Sequence, residues 1–297
     1  MEVRLRQKIA AGFLAFGFAA CQTAPNVRAI ALLEPGARYV AMGSSFAAGP
    51  GVGDKSPNAH PNCGQSTSNY PKLLAQNLKL ELVDVTCGGA TTANILTISQ
   101  HNGLLPQIES ITPETRLVTV TIGGNDLLLA RDLGIASCNN IIAAKSLNSP
   151  NCGTHANPLA DEAFQILAGN LDKIAREAKA RAPNARIVFL DYQAILPENG
   201  NCEAVYLSDN ELEVLRTRQF RYAEIVKRTA ISNNIEFFSA YEATKSHDAC
   251  AAMPFMAGAM SIDGVSWAVP NFHTTQEGMT AIANGLENYL RQGTNAN

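Results

Sequence analysis

The sequence predicts an α/β protein, a three-layer α/β/α sandwich around a central parallel sheet of about five strands. Three observations carry this expectation. Short β-branched runs alternate with helical stretches, the order that parallel strands joined by helical crossovers require. The 297 residues are 46% hydrophobic and 16% charged, which suits one large core. No internal repeat or low-complexity linker divides the chain, so a single domain over 37–292 is expected.

In chain order, Arg4, Arg6 and Lys8 precede an apolar run over 9–20, too short to span a bilayer and suited to an export signal. Residues 1–20 are therefore read as a signal peptide, 21–36 as an N-terminal tether and 293–297 as a disordered C-terminus. Removing 1–20 deletes three basic groups and one acidic group, which moves the net charge from -3 to -5. That mildly acidic balance disfavours nucleic acid as a partner. Cys21 directly follows Phe18-Ala19-Ala20 and resembles the lipidated first residue of bacterial lipoproteins, which would give a membrane tether. The alternative is an ordinary secretory cut near Ala24.

Strands are expected at 38–42, 80–86, 116–122, 185–191 and 235–238. Between the third and fourth of these, 161–182 places Phe164, Leu167, Leu171, Ile174 and Ala178 on one helical face, with Pro183 as its stop. Ser208 with Glu211, and Thr274 with Glu277, have the spacing of capping boxes that start two further helices. Setting Cys21 aside, Cys63, Cys87, Cys138, Cys152, Cys202 and Cys250 form an even set suited to three disulfides in an oxidising compartment. Six cysteines allow 15 connectivities, and order along the chain favours only Cys138 with Cys152. No C-x-x-C pair occurs and the five histidines are scattered, so neither a metal nor an organic cofactor is expected.

The strand ends carry the chemistry. The first runs into Gly43-Ser44-Ser45, where a hydroxyl can project at the carboxyl edge of the sheet; Ser45 is the candidate nucleophile. The second runs into Cys87-Gly88-Gly89, which offers bare backbone N–H groups, and the third into Gly123-Gly124-Asn125-Asp126, which offers a carboxamide. Neutral donors of this kind stabilise negative charge that develops on a substrate oxygen during acyl transfer. A serine also needs a base. His273 lies just ahead of the last helix, which would anchor it. His60, His101 and His155 lie in polar loops and are read as solvated, and His247, beside Asp248, is a second contender.

Together these blocks resemble the SGNH (GDSL) hydrolase family, over nearly the whole mature chain. The resemblance implies a flavodoxin-like fold with Ser45 and His273 as catalytic pair. It implies an oxyanion hole from the Ser45 and Gly89 N–H groups and the Asn125 side chain. A closer likeness to the secreted three-disulfide esterases and lipases of that family implies Cys63–Cys87, Cys138–Cys152 and Cys202–Cys250, and a structural role for His247.

Two departures stand out. Ser44 occupies the family's usual Asp position beside the nucleophile, and Pro270 occupies that of the Asp three residues before the histidine. The expectation is therefore a Ser-His dyad, with a main-chain carbonyl of Pro270 or Asn271 holding the imidazole and Asp263 as reserve acid. The expected activity is hydrolysis of acyl glycerides, phospholipids or small esters by an exported monomer in the periplasm, in the cell envelope or outside the cell. Phe46, Phe255, Met256 and Met260 are candidates to line an acyl groove. Two rivals remain: a carbohydrate or cell-wall O-acetylesterase, for which Trp267 is the main aromatic platform, and a non-catalytic envelope lipoprotein that retains the fold.

Overall fold

Five parallel strands in the order β2-β1-β3-β4-β5 form the centre of the molecule. The computed structural model describes Glu2 and residues 33–146, 148, 152–155, 159–259 and 270–292. The expectations placed on 1–20, Cys21, Met260, Asp263, Trp267 and 293–297 lie outside those residues. No described helix is long and apolar enough to cross a membrane.

The strands are β1 (Arg38–Gly43), β2 (Glu81–Asp84), β3 (Thr115–Thr121), β4 (Arg186–Leu190) and β5 (Glu236–Phe238). The helices are α1 (Ser45–Ala48), α2 (Tyr70–Leu78), α3 (Thr92–Leu96), α4 (Leu129–Ala144), α5 (Asp161–Arg181), α6 (Asp209–Ser232), α7 (Ala240–Thr244) and α8 (Gln276–Gln292). Every expected strand is present, each within two residues of its expected ends. Of the helices, α5 and α6 begin where the sequence places them, and the Ser208–Glu211 capping box forms in both directions.

Alternation along the strands divides the core into two layers. Val40, Met42, Val118, Val120, Ile187 and Phe189 face one side, where they meet apolar residues of α3, α4, α5 and α6. Tyr39, Ala41, Leu117, Val188 and Leu190 face the other, against Tyr70 and Leu74 of α2 and Met279, Ile282 and Leu286 of α8. Both faces are covered, which is why the strands read as nearly continuous apolar runs. The strand order reverses direction at β1, so the crevice beyond the carboxyl ends of β1 and β3 is where such folds place their ligands.

Three disulfides join Cys63 to Cys87, Cys138 to Cys152 and Cys202 to Cys250. The first holds the loop after α1 against the turn after β2; the third holds the loop after β4 against the segment after α7.

Candidate active site

Ser45 is the first residue of α1, directly beyond β1, and is 7% exposed. Its Oγ lies 2.8 Å from His273 Nε2, although 228 positions separate the two residues. The other ring nitrogen, Nδ1, lies 2.9 Å from the Asn271 carbonyl oxygen. A carbonyl can only accept, so Nδ1 carries the proton and Nε2 presents its lone pair to the serine hydroxyl. Of the two carbonyls anticipated for the imidazole, that of Pro270 is taken by the His273 backbone N–H at 3.2 Å, so Asn271 alone meets the ring.

The local backbone explains this. Phe272 has φ 55°, a left-handed value uncommon for a large side chain, and it turns the Asn271 carbonyl back toward residue 273. The cost of such a conformation is about 1 kcal/mol, and the complete burial of the Phe272 ring offsets it. The stretch is also paired with the segment before it: Phe272 N–H donates to the Ala257 carbonyl, and Ala257 N–H donates to the His273 carbonyl. Burial pushes the His273 pKa below the ordinary imidazole value, and the Asn271 carbonyl partly opposes that shift.

The anticipated cap at Thr274 falls one residue later. Thr275 Oγ1 accepts from the Gly278 N–H at 3.4 Å. Thr274 Oγ1 instead lies 2.6 Å from Gln193 Nε2, which ties the histidine loop to the end of β4.

The donor loops converge from two further strands. Gly88 N–H is taken by the Cys63 carbonyl at 2.8 Å. The next N–H, that of Gly89, makes no hydrogen bond among the described residues, and neither does that of Ser45. Gly89 has φ 78°, and a methyl group there would meet nothing nearer than 3.7 Å, so backbone conformation and not space calls for glycine. Asn125 Nδ2 donates one hydrogen to the Ala90 carbonyl at 2.8 Å, which fixes the amide plane and leaves the second hydrogen free. Asp126 accepts from the N–H and hydroxyl of Thr92 at the start of α3, locking the second and third loops together.

Two buried residues that the motifs did not reveal brace this arrangement. Tyr192 OH is 2.6 Å from Ser44 Oγ and accepts from the Gly124 N–H at 3.2 Å, so one phenol joins the first and third blocks. A methyl at Gly124 would lie 2.2 Å from that ring. The ring also stacks on Phe46, with centroids 3.8 Å apart. Gln107 clamps Gly43 from both sides, accepting its N–H at 2.7 Å and donating to its carbonyl at 3.1 Å. Tyr192 sits directly past β4, where the strand-end rule points; nothing in the sequence around Gln107 marks it.

Other expectations need correction. Phe46 and Met256 are buried in the main core, and Phe255 stacks on His247 with centroids 3.8 Å apart. His247 Nδ1 meets the Met253 carbonyl at 2.8 Å, so this ring holds a loop. His155 is partly buried 3.6 Å from Glu211, and His60 stacks on His101 with centroids 4.7 Å apart, so none of the three is simply solvated. His60, Cys63 and His101 gather into a cluster with metal-ligating atoms, a consequence of folding that their spacing conceals.

The profile of the GDSL-like Lipase/Acylhydrolase family matches residues 41–281. The chain belongs to this family. Lipase 2 of Streptomyces coelicolor is 33% identical over 249 residues, covering 82% of each chain. A lipase of Streptomyces rimosus is 26% identical over 267 residues, 89% of this chain and 88% of that one. Among solved structures, phospholipase A1 from Streptomyces albidoflavus is similar at a TM-score of 0.66 and 22% identity, over 85% of this chain and 99% of that one. Both of these sequence relatives are named as lipases, and this chain is a carboxylic ester hydrolase.

Proposed function

We propose that this family member is an exported serine esterase or lipase that works with a Ser45–His273 dyad, the Asn271 carbonyl standing where the family usually has an acid. The observation that carries the reading is the 2.8 Å approach of His273 Nε2 to Ser45 Oγ while Asn271 O fixes the opposite nitrogen. Ser45 Oγ attacks the ester carbonyl as its proton passes to Nε2. The carbonyl oxygen, now negative, is met by the N–H groups of Ser45 and Gly89 and the free amide hydrogen of Asn125. Collapse expels the alcohol, which takes the proton from His273. Water then repeats the sequence on the acyl-enzyme, with His273 as base again.

The two departures from the family pattern, which motivated the non-catalytic reading, both have local answers. Ser44 Oγ finds a partner in Tyr192 OH, and a carbonyl orients the imidazole. Export is supported by the basic and apolar start of the chain and by three disulfides in one domain. A solved structure described as an extracellular lipase of Streptomyces rimosus shares the fold, with a TM-score of 0.65. Under this reading Cys21 is the lipidated first residue of the mature protein, and the substrate is an acyl glyceride, phospholipid or small ester.

The test is a fluorophosphonate probe together with a nitrophenyl ester series of increasing acyl length. Wild type is expected to be labelled at Ser45 and to prefer some lengths over others. Ser45→Ala is expected to lose the label and roughly 10^4-fold or more in kcat. Folded wild type that takes no label would overturn the dyad, and a flat profile would overturn the lipase reading.

A further inference from the structure

We infer that His60 and His101 form a binding site for one late first-row divalent cation of the copper and zinc class, separate from the dyad. The two imidazoles belong to different loops, one ahead of the short turn Pro61–Cys63 and one after α3, yet the fold stacks them with planes 5° apart, and a turn of one ring brings both in-plane lone pairs to one ion. One ligating atom from each ring and Cys63 Sγ all lie within 4.8 Å of one another. The third corner is not a thiolate, because Cys63 is bridged to Cys87. The donor set on offer is therefore two neutral imidazoles with water completing the shell. That set suits copper, zinc and nickel and suits magnesium and calcium poorly, and copper stands highest in intrinsic affinity.

A second observation points to a guest. His101 Nε2 is buried without a hydrogen-bond partner, and so is the neighbouring Gln100 Oε1. Buried polar atoms of this kind carry a desolvation cost that a ligand relieves. His60 is held by its stack on His101 and by a long contact, Asn62 N–H to Nδ1 at 3.3 Å, two weak restraints that let its ring turn toward a shared ion. The scaffold around the pair is firm: Cys63 N–H donates to the His60 carbonyl at 2.9 Å and Leu104 N–H to the His101 carbonyl at 3.1 Å.

The position gives the site a consequence. Cys63 O and Gln100 Nε2 grip Gly88 from its two sides, at 2.8 and 2.6 Å, one residue from the free Gly89 N–H. A cation bridging residues 60 and 101 joins the two loops that make this grip and braces the turn after β2.

The experiment is titration of the untagged, disulfide-bonded protein with Cu2+, followed by equilibrium dialysis and electron paramagnetic resonance, with Zn2+ as competitor and Mg2+ as comparison. Wild type is expected to bind one equivalent of Cu2+ with nitrogen hyperfine structure from imidazole, displaced by a large excess of Zn2+ and not by the same excess of Mg2+. His60→Asn, in which Asn keeps the capping acceptor, is expected to weaken binding by about tenfold or more, and the His60→Asn/His101→Asn double variant to abolish it. Should the double variant fail to fold, judged by circular dichroism and ester turnover, His60→Asn carries the test alone. Absence of binding by wild type, or undiminished affinity in the folded variants, overturns the site.

Discussion

At the scale of single residues, His273 differs from the histidine of a full triad in one physical respect. Asn271 O orients the ring as a carboxylate would but brings no net charge, so under the proposed dyad it does less to stabilise the imidazolium that serine attack would form. Burial lowers the pKa by more than the Asn271 carbonyl raises it. A lowered pKa keeps the neutral, basic form present as pH falls, so the acid limb of kcat/KM is expected below the ordinary imidazole value of about 6.5. A pH-rate profile with its acid midpoint above that value would contradict the assignment. Asn125 offers a cleaner dissection. Its free amide hydrogen matters only once the substrate oxygen becomes negative, so Asn125→Ala is expected to lower kcat by about 10²–10³-fold with KM little changed. Tyr192→Phe removes the phenol oxygen shared by Ser44 Oγ and the Gly124 N–H and leaves both partners buried. The expected cost is about 1–3 kcal/mol, measured by urea denaturation, while Ser45 remains reactive to fluorophosphonate.

At the scale of elements, the strands were legible because a parallel sheet covered on both faces demands uninterrupted apolar runs, and such runs admit few other readings. The long helices α5 and α6 were legible through their stripes and caps. Helix α4 was not: it starts from Leu128 at φ 53°, without a side-chain cap, and its N-terminal half is fixed by tertiary contacts that no local pattern encodes. Chief among these is the ion pair between Asp132 of α4 and Arg218 of α6, at 2.7 Å and almost wholly excluded from water. Removing the Asp132 carboxylate takes this counter-charge away from a buried guanidinium, so Asp132→Ala is expected to destabilise the fold by about 3–5 kcal/mol, read as a lowered urea midpoint. An equal loss in Asp161→Ala, whose contact with Arg221 is exposed, would show that burial is not the deciding factor. The Thr274-to-Thr275 shift of the last cap has a similar origin. Gln193 claims the Thr274 hydroxyl from across the molecule, and no spacing rule within one helix records that competition.

For the molecule as a whole, the family blocks single out Ser45, Gly89, Asn125 and His273 as candidates one by one, whereas the residues that brace them, Gln107 and Tyr192, come from segments that only the folded sheet brings near. Asp191 shows the same limit for electrostatics: the sequence places it at the end of the expected strand 185–191 without indicating its burial, and it is 2% exposed. Its carboxylate accepts from the Ser239 hydroxyl at 2.8 Å and the Tyr241 N–H at 3.1 Å. Burial outweighs these bonds and pushes its pKa up to about 7. The unfolded chain releases this proton near pH 4, so between about pH 4 and 7 the native state holds a proton that the unfolded state has lost. Stability from this group is therefore complete below pH 4 and disappears as pH rises through 7. His273 contributes the opposite slope, because its lowered pKa makes the unfolded state the better proton binder at and below the ordinary imidazole range. Wild-type stability is thus the sum of two opposed titrations, and Asp191→Asn, which keeps an uncharged group in place, isolates one of them. From pH 5 to pH 8 the variant is expected to gain on wild type by up to about 3 kcal/mol, measured as the difference in urea unfolding free energy. Parallel curves for the two proteins across that range would mean that Asp191 enters the folded state already ionised.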